Sequence, residues 1–205
     1  MATIIDADTS DGLKITSDTT GQLELQSGGV TQVTVTDTKV TFNKTIVAPV
    51  TTVQTHLTTT SSQSNSANTR TNISGLNATI TPSTTSKRIK VTVHWSGEHS
   101  NSGNHKQLFG IKRDTTDVGN PAADGSRPVG IAIVALGYIA ADATSTPDSV
   151  MYSYIDSPAT TSATTYHATY INVNAGTLYN QRSVNDTDST ENERLTSTII
   201  LEEID

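Results

Sequence analysis

Residues 12 to 42 read GLKITSDTTGQLELQSGGVTQVTVTDTKVTF, a series of short runs in which apolar and polar residues alternate, separated by Gly, Asp and Thr. Side chains alternate across a β-strand, so Leu13 with Ile15, Leu23 with Leu25, Val33 with Val35, and Val40 with Phe42 each form one narrow apolar edge. Such edges bury little. At about 25 cal/mol per Å2 they do not offset backbone ordering of about 1 to 2 kcal/mol per residue. The segment therefore calls for partners, most simply copies of itself.

Composition extends the β reading to the whole chain. Ser and Thr fill 60 of the 205 positions, charged residues are 16% and aromatics 4%. Thr favours strands through its branched Cβ, and Ser favours turns by bonding to nearby backbone. Two segments argue against a disordered low-complexity chain: RIKVTVHW (Arg88 to Trp95) and VGIAIVALGYIA (Val129 to Ala140) are apolar enough to demand burial.

Several function classes are disfavoured at this level. Net charge is −7, and the densest basic group is Lys87, Arg88 and Lys90, which falls short of the footprint a nucleic-acid binder needs. Cysteine is absent, so there is no disulfide framework and no thiolate metal site. No window approaches the 18 apolar residues of a helical membrane span, and MATIIDADTSDG has no signal-peptide pattern. The expectation is a protein made in a cytoplasm, without membrane insertion, and reaching the outside through lysis.

The composition shifts near Pro49, which divides the chain into a stem of short strands over 1–50 and a head over 51–205. Polar residues from Thr51 to Asn72 suit linker, loop or edge strand, with a first head strand near Thr52 to Thr58. Longer strands are expected over Leu76 to Thr81, Lys87 to Trp95, Lys106 to Asp114, Val129 to Leu136, Val150 to Asp156, Thr164 to Val173 and Leu195 to Glu203. Eight strands match a jelly roll, and their turn-rich connections suit an antiparallel sandwich rather than a parallel sheet with helical crossovers. Val129 to Leu136, apolar on both faces, reads as a central strand or one facing another subunit. A single helical turn is expected in the Gly119 to Asp124 loop.

The chain resembles the fibre and surface structural proteins of tailed bacteriophages, particularly those of marine and cyanobacterial hosts. The opening DADTSDGLKITSDTTGQLELQSGGVTQVTV (6–35) is similar to their repeated N-terminal run. ITPSTTSKRIKV, GIKRD followed by GSR, YIDSPATTSATTYHATY and the closing TSTIILEEI are similar to their C-terminal domain. The resemblance implies an all-β homotrimer with a jelly-roll tip, a place in the virion, and contact with a host surface. Long fibres carry extended shafts, whereas about 50 residues span at most about 165 Å. A short fibre or a knob suits that length better.

Candidate chemistry is sparse. His94, Glu98, His99 and His105 lie within twelve residues, but they lack HExxH or a helical i, i+4 pair, and they read as loop or interface residues rather than a zinc site. The acidic residues near Asp6 miss the calcium-loop register. Asn185 to Glu193 reads as a solvated acidic turn. Neither a nucleophile elbow nor a placed carboxylate pair is present, so no catalytic, metal or cofactor residues are assigned and no enzyme is expected. Aromatic and imidazole groups supply the candidate binding surface: Trp95, His99, His105, Tyr138 and Tyr179 for a host glycan or protein. Tyr152 with Tyr154, and Tyr166 with Tyr170, share strand faces and read as core or subunit-interface pairs.

The expected assembly surface is Leu13, Ile15, Leu23, Leu25, Val33, Val35, Val40 and Phe42. It would hold a homotrimer together and attach it to other virion proteins of the capsid or tail. A capsid decoration (cement) protein and a free carbohydrate-binding module are the alternatives.

Overall fold

A computed structural model describes residues 22–27, 29–36, 38–43, 51–100, 107–134 and 145–204. The chain forms two compact units, Met1–Ala48 and Pro49–Asp205. Every described element is β, and every strand pairing is antiparallel.

In the first unit, β1 (Leu23–Ser27), β2 (Val30–Val35) and β3 (Val40–Phe42) make a three-stranded meander in the order β1-β2-β3. Gly29 enters β2 at φ +77°, a left-handed conformation that suits glycine in a tight hairpin. At the second connection, Thr36 N donates to Lys39 O, and the Thr36 hydroxyl accepts from Lys39 N.

The second unit is a two-sheet sandwich. Its first sheet holds β4 (Thr52–Leu57), β14 (Ser197–Ile204), β7 (Arg88–His99) and β11 (Asp148–Asp156), in that order. Two short strands, β5 (Ser61–Asn65) and β13 (Gly176–Asn180), prolong this sheet past the end of β14, with β13 paired to the last residues of β7. The second sheet runs β6 (Thr71–Ile80), β12 (Thr164–Asn172), β8 (Gln107–Arg113) and β10 (Ala132–Val134), with β9 (Thr116–Val118) lying along β8 beyond β10. Counted along the chain, the eight main strands are ordered 1-8-3-6 and 2-7-4-5. This is the connectivity of a jelly roll, two Greek keys wrapped into a sandwich.

Alternation builds the core. On β7, Ile89, Val91, Val93 and Trp95 are all fully buried, and Ile199 and Leu201 beside them on β14 are too. Phe109, Ile111, Tyr166, Ala168 and Tyr170 face them from the second sheet, with the Trp95 and Phe109 ring centroids 4.9 Å apart. Two core polar groups find partners, one within its own sheet and one across the sandwich. Trp95 Nε1 donates to Asn180 Oδ1 at 2.8 Å, and the Tyr152 hydroxyl donates to the Gly110 carbonyl at 3.0 Å. On β6 the buried residues jump from Ile73 to Leu76, a step of three instead of two. Three residues are extra there: between His167 and Thr169 on β12 the partners on β6 pass from Asn77 to Asn72, and within this irregularity Gly75 sits at φ +75°.

Two expectations are corrected. The central-strand reading of Val129 to Leu136 is corrected: among its described residues Ala132–Val134 is extended, that strand pairs with β8 alone, and Ile133 is 62% exposed. An apolar run tells of burial but not of position in a sheet, because inner and edge strands differ in backbone pairing rather than composition. The Gly119–Asp124 loop has no helical turn; its Asn-Pro and Asp-Gly steps favour irregular chain instead. The polar Thr51–Asn72 stretch contains β4, β5 and the start of β6, held by side chains such as Gln63, whose Nε2 donates to Asn72 O and whose Oε1 accepts from Ser74 N.

Candidate functional site

The three-stranded sheet of the first unit separates its side chains by chemistry. Register places Leu23, Val35 and Val40 in one row across the strands and Leu25, Val33 and Phe42 in the next. All six therefore share one face. The other face carries Glu24, Gln26, Thr31, Thr34 and Thr41, tied by hydrogen bonds from the Thr31 hydroxyl and Gln26 Nε2 to Glu24 Oε2 at 2.8 and 3.2 Å.

A bulge adds a seventh apolar residue. Leu25 pairs with Val33 but Gln26 pairs with Thr31, so Gln32 has no opposite residue and the alternation of β2 is reset. Without that extra residue Val30 would join the polar face; with it, Val30 pairs with Ser27 on the side of Leu25. Leu25, Val30, Val40 and Phe42 are 46%, 57%, 55% and 52% exposed. A sheet polar on one side and greasy on the other is half of a packed layer. Leu13 and Ile15, expected on the same surface, lie outside the described residues.

In the head, the expected binding residues are distributed differently from the sequence reading. Trp95 is core, not surface: it is the fourth inward position of β7, completely buried. His99 is also buried, its Nε2 donating to Asn65 Oδ1 at 3.0 Å, and burial lowers its pKa to about 4. Its ring packs so closely on Gly176 that a Cβ there would fall 2.4 Å from His99 Cε1. The strand simply continues past Trp95 to His99, which places a presumed loop inside the sandwich.

Tyr179 is half-buried on β13. The Arg182 guanidinium carbon stands 4.4 Å from its ring centroid, so one ring face is already occupied by a cation from the same chain. His105 and Tyr138 lie outside the described residues.

The other histidine-rich and acidic candidates also resolve into structural roles. Glu98 is buried beside His99 and accepts from Thr146 N, the Thr146 hydroxyl and Val184 N at 3.2, 2.8 and 2.6 Å. Its carboxylate thereby pins the chain before β11 and the chain after β13. In the acidic turn, Asp186 lies 3.6 Å from Arg182 and 2.5 Å from Arg194, arginines that take the place of a cation there. Among the described residues no three His, Cys, Asp or Glu side chains gather around a common point. Nor is any helix among them long and apolar enough to cross a membrane.

One surface went unread in the sequence. The outward positions of the first sheet carry Met151, which is 70% exposed, together with Ile155, His56, His94 and Ile200. Period-two alternation was the available signal, since Val150 and Tyr152 face in and Met151 must then face out. In comparisons with known proteins, no protein-family model matches the chain, and no curated protein matches it significantly.

Proposed function

We propose that this chain is a non-enzymatic structural protein of a tailed-phage virion, a homotrimeric short fibre or knob whose first unit assembles the subunits and anchors them and whose head meets the host surface. The observation that carries the assembly part is the one-sided stem sheet, with seven apolar side chains on a single face, four of them about half exposed. Three copies turned inward would cover that face by symmetry. The resemblance of the sequence to phage fibre and surface proteins is what supports the virion part.

The sheet is one piece of such an interface. Three strands about 4.8 Å apart and about 10 to 20 Å long give a face of about 220 Å2, below the roughly 800 Å2 per partner typical of stable association. Further area has to come from beyond it, Leu13 and Ile15 included. Light scattering on the full chain tests assembly, with a trimer mass expected and a monomer at high concentration counting against it. Immunogold labelling of particles tests location. A few labels at the tail fit a fibre; hundreds over the head fit a decoration protein, the second reading. Purified particles that lack the chain would refute both.

A further inference from the structure

The first sheet of the head ends in two strands that lack an outer neighbour. Among the described residues β11 pairs with β7 alone and β4 with β14 alone. Hydrogen-bond parity shows which groups they leave open. Glu203 N donates to Thr51 O, so the odd-numbered residues of β4 bond to β14, and Thr52, Gln54 and His56 turn their N–H and C=O to the free side. Ser149 N donates to the Asp148 carboxylate instead of to β7, and alternation then turns the same backbone groups of Met151, Ser153 and Ile155 outward from β11.

Natural edge strands are guarded by Lys, Pro or a bulge, because open backbone groups recruit other strands. Neither edge has such a guard. Strand β4 is Thr-Val-Gln-Thr-His-Leu, without charge or proline. Strand β11 runs for nine residues in unbroken register, with charges only at its ends, Asp148 and Asp156. The two edges are also complementary. Antiparallel order across four strands sets β4 and β11 in opposite directions, and on both the open groups belong to residues whose side chains face away from the core. Joined edge to edge, they make a regular antiparallel ladder that keeps both core faces on one side of the sheet. The outward face is hollow, with a cavity of about 390 Å3 spanning all four strands and lined by Gln54, His56, Thr92, His94, Met151 and Ile200 among others. That concavity turns both edges toward the same side, as closure around an axis requires.

We propose that the open edge of β11 pairs with the open edge of β4 in a second copy, and that three such joints close the heads into a ring with the hollow face toward the three-fold axis. This rests on the homotrimer reading and names the head contact that it needs, since the stem face alone is too small. Three copies of four strands make a ring of twelve, within the range of closed antiparallel barrels. Two-fold pairing of β11 with β11 would leave both β4 edges open, whereas the ring leaves none. Two registers oppose all six residues of β4 with β11, and they set Gln54 across from Ser153 or from Met151.

The chain contains no cysteine, so introduced cysteines react only with each other. Facing residues about 5.5 Å apart at Cα suit a disulfide, while Gln54 and Ser153 of one copy, three strand spacings or about 14 Å apart, do not. The test oxidises the full chain carrying Gln54→Cys with Ser153→Cys, or Gln54→Cys with Met151→Cys, and reads a non-reducing denaturing gel beside light scattering, after a circular-dichroism melt has shown each variant folded. A covalent trimer from one of the double variants is expected, with no cross-link in any single variant. Ser153→Pro, which removes a donor from the free edge and none from the β7 ladder, should shift the mass toward monomer. A covalent dimer from Ser153→Cys or Met151→Cys alone shows two-fold pairing and overturns the proposal, and a ladder of bands beyond three overturns the closed ring. A trimer by light scattering with neither double variant cross-linked, or with Ser153→Pro assembling as wild type, overturns the edge contact and leaves the trimer standing. A monomer throughout overturns both.

Discussion

Replacing Phe42 by alanine should loosen the assembled protein far more than its position on a three-residue strand suggests. Phe42 is 52% exposed in the single chain, so about half of its burial is still to be gained. Fully burying such a side chain is worth about 3 kcal/mol at most, which leaves about 1.5 kcal/mol per subunit for association. Across three subunits that is about 4.5 kcal/mol, or roughly a thousandfold in the trimer association constant at about 1.4 kcal/mol per tenfold. Sedimentation equilibrium over a concentration series reads this directly, as a shift of the monomer–trimer midpoint. The neighbouring Thr41→Ala, on the polar face opposite Thr34, is the control and should leave the midpoint in place. If Phe42→Ala and Thr41→Ala behave alike, the apolar face is not the contact between copies and the reasoning from its exposure fails.

Two further outcomes concern the head. A Cβ on Gly97 would lie 2.1 Å from the Tyr179 carbonyl oxygen and 2.8 Å from the Trp95 ring, so Gly97→Ala must push apart β7 and β13. It should cost about 3 kcal/mol or prevent folding, and a thermal melt within a degree of wild type would show that the strands separate freely. His99 has a folded pKa of about 4 against about 6.5 when unfolded, so between those values the unfolded chain binds a proton that the folded chain does not. Stability from this residue is complete above about pH 6.5 and drains away as pH falls toward 4, on the order of 3 kcal/mol in all. Urea titrations of wild type and His99→Gln across that window should converge at the acid end, and parallel curves would contradict the assignment.

Much of the head was legible because its strands bury one face against the other sheet. Ile89, Val91, Val93 and Trp95 on β7, and Ile199 and Leu201 on β14, display the period of two that any half-buried strand must have. Where burial is carried by polar residues, that signal disappears. Strand β5 reads Ser-Ser-Gln-Ser-Asn and was invisible as a strand because its place is secured by hydrogen bonds, not by apolar area. The same blindness put Trp95 and His99 on a binding surface. Residues 96 to 99 look like loop, yet they are strand, and their polar atoms are satisfied by Asn65, Ser197, Thr146 and Val184 from distant parts of the chain.

Sequence alone established an all-β chain, its change in character near Pro49, and the apolar edges of the stem, since these follow from local alternation and composition. Tertiary structure decided which edges combine. The Gln32 bulge resets β2 so that Val30 joins Leu25, Val33 and Phe42 on one face, and antiparallel register lines up His56, Thr198, His94 and Met151 from strands up to 142 residues apart. Register depends on long-range pairing, and a shift of one residue turns every side chain to the opposite face. Periodicity within a single strand therefore reveals that it has an apolar side, while only the folded sheet reveals what stands beside it.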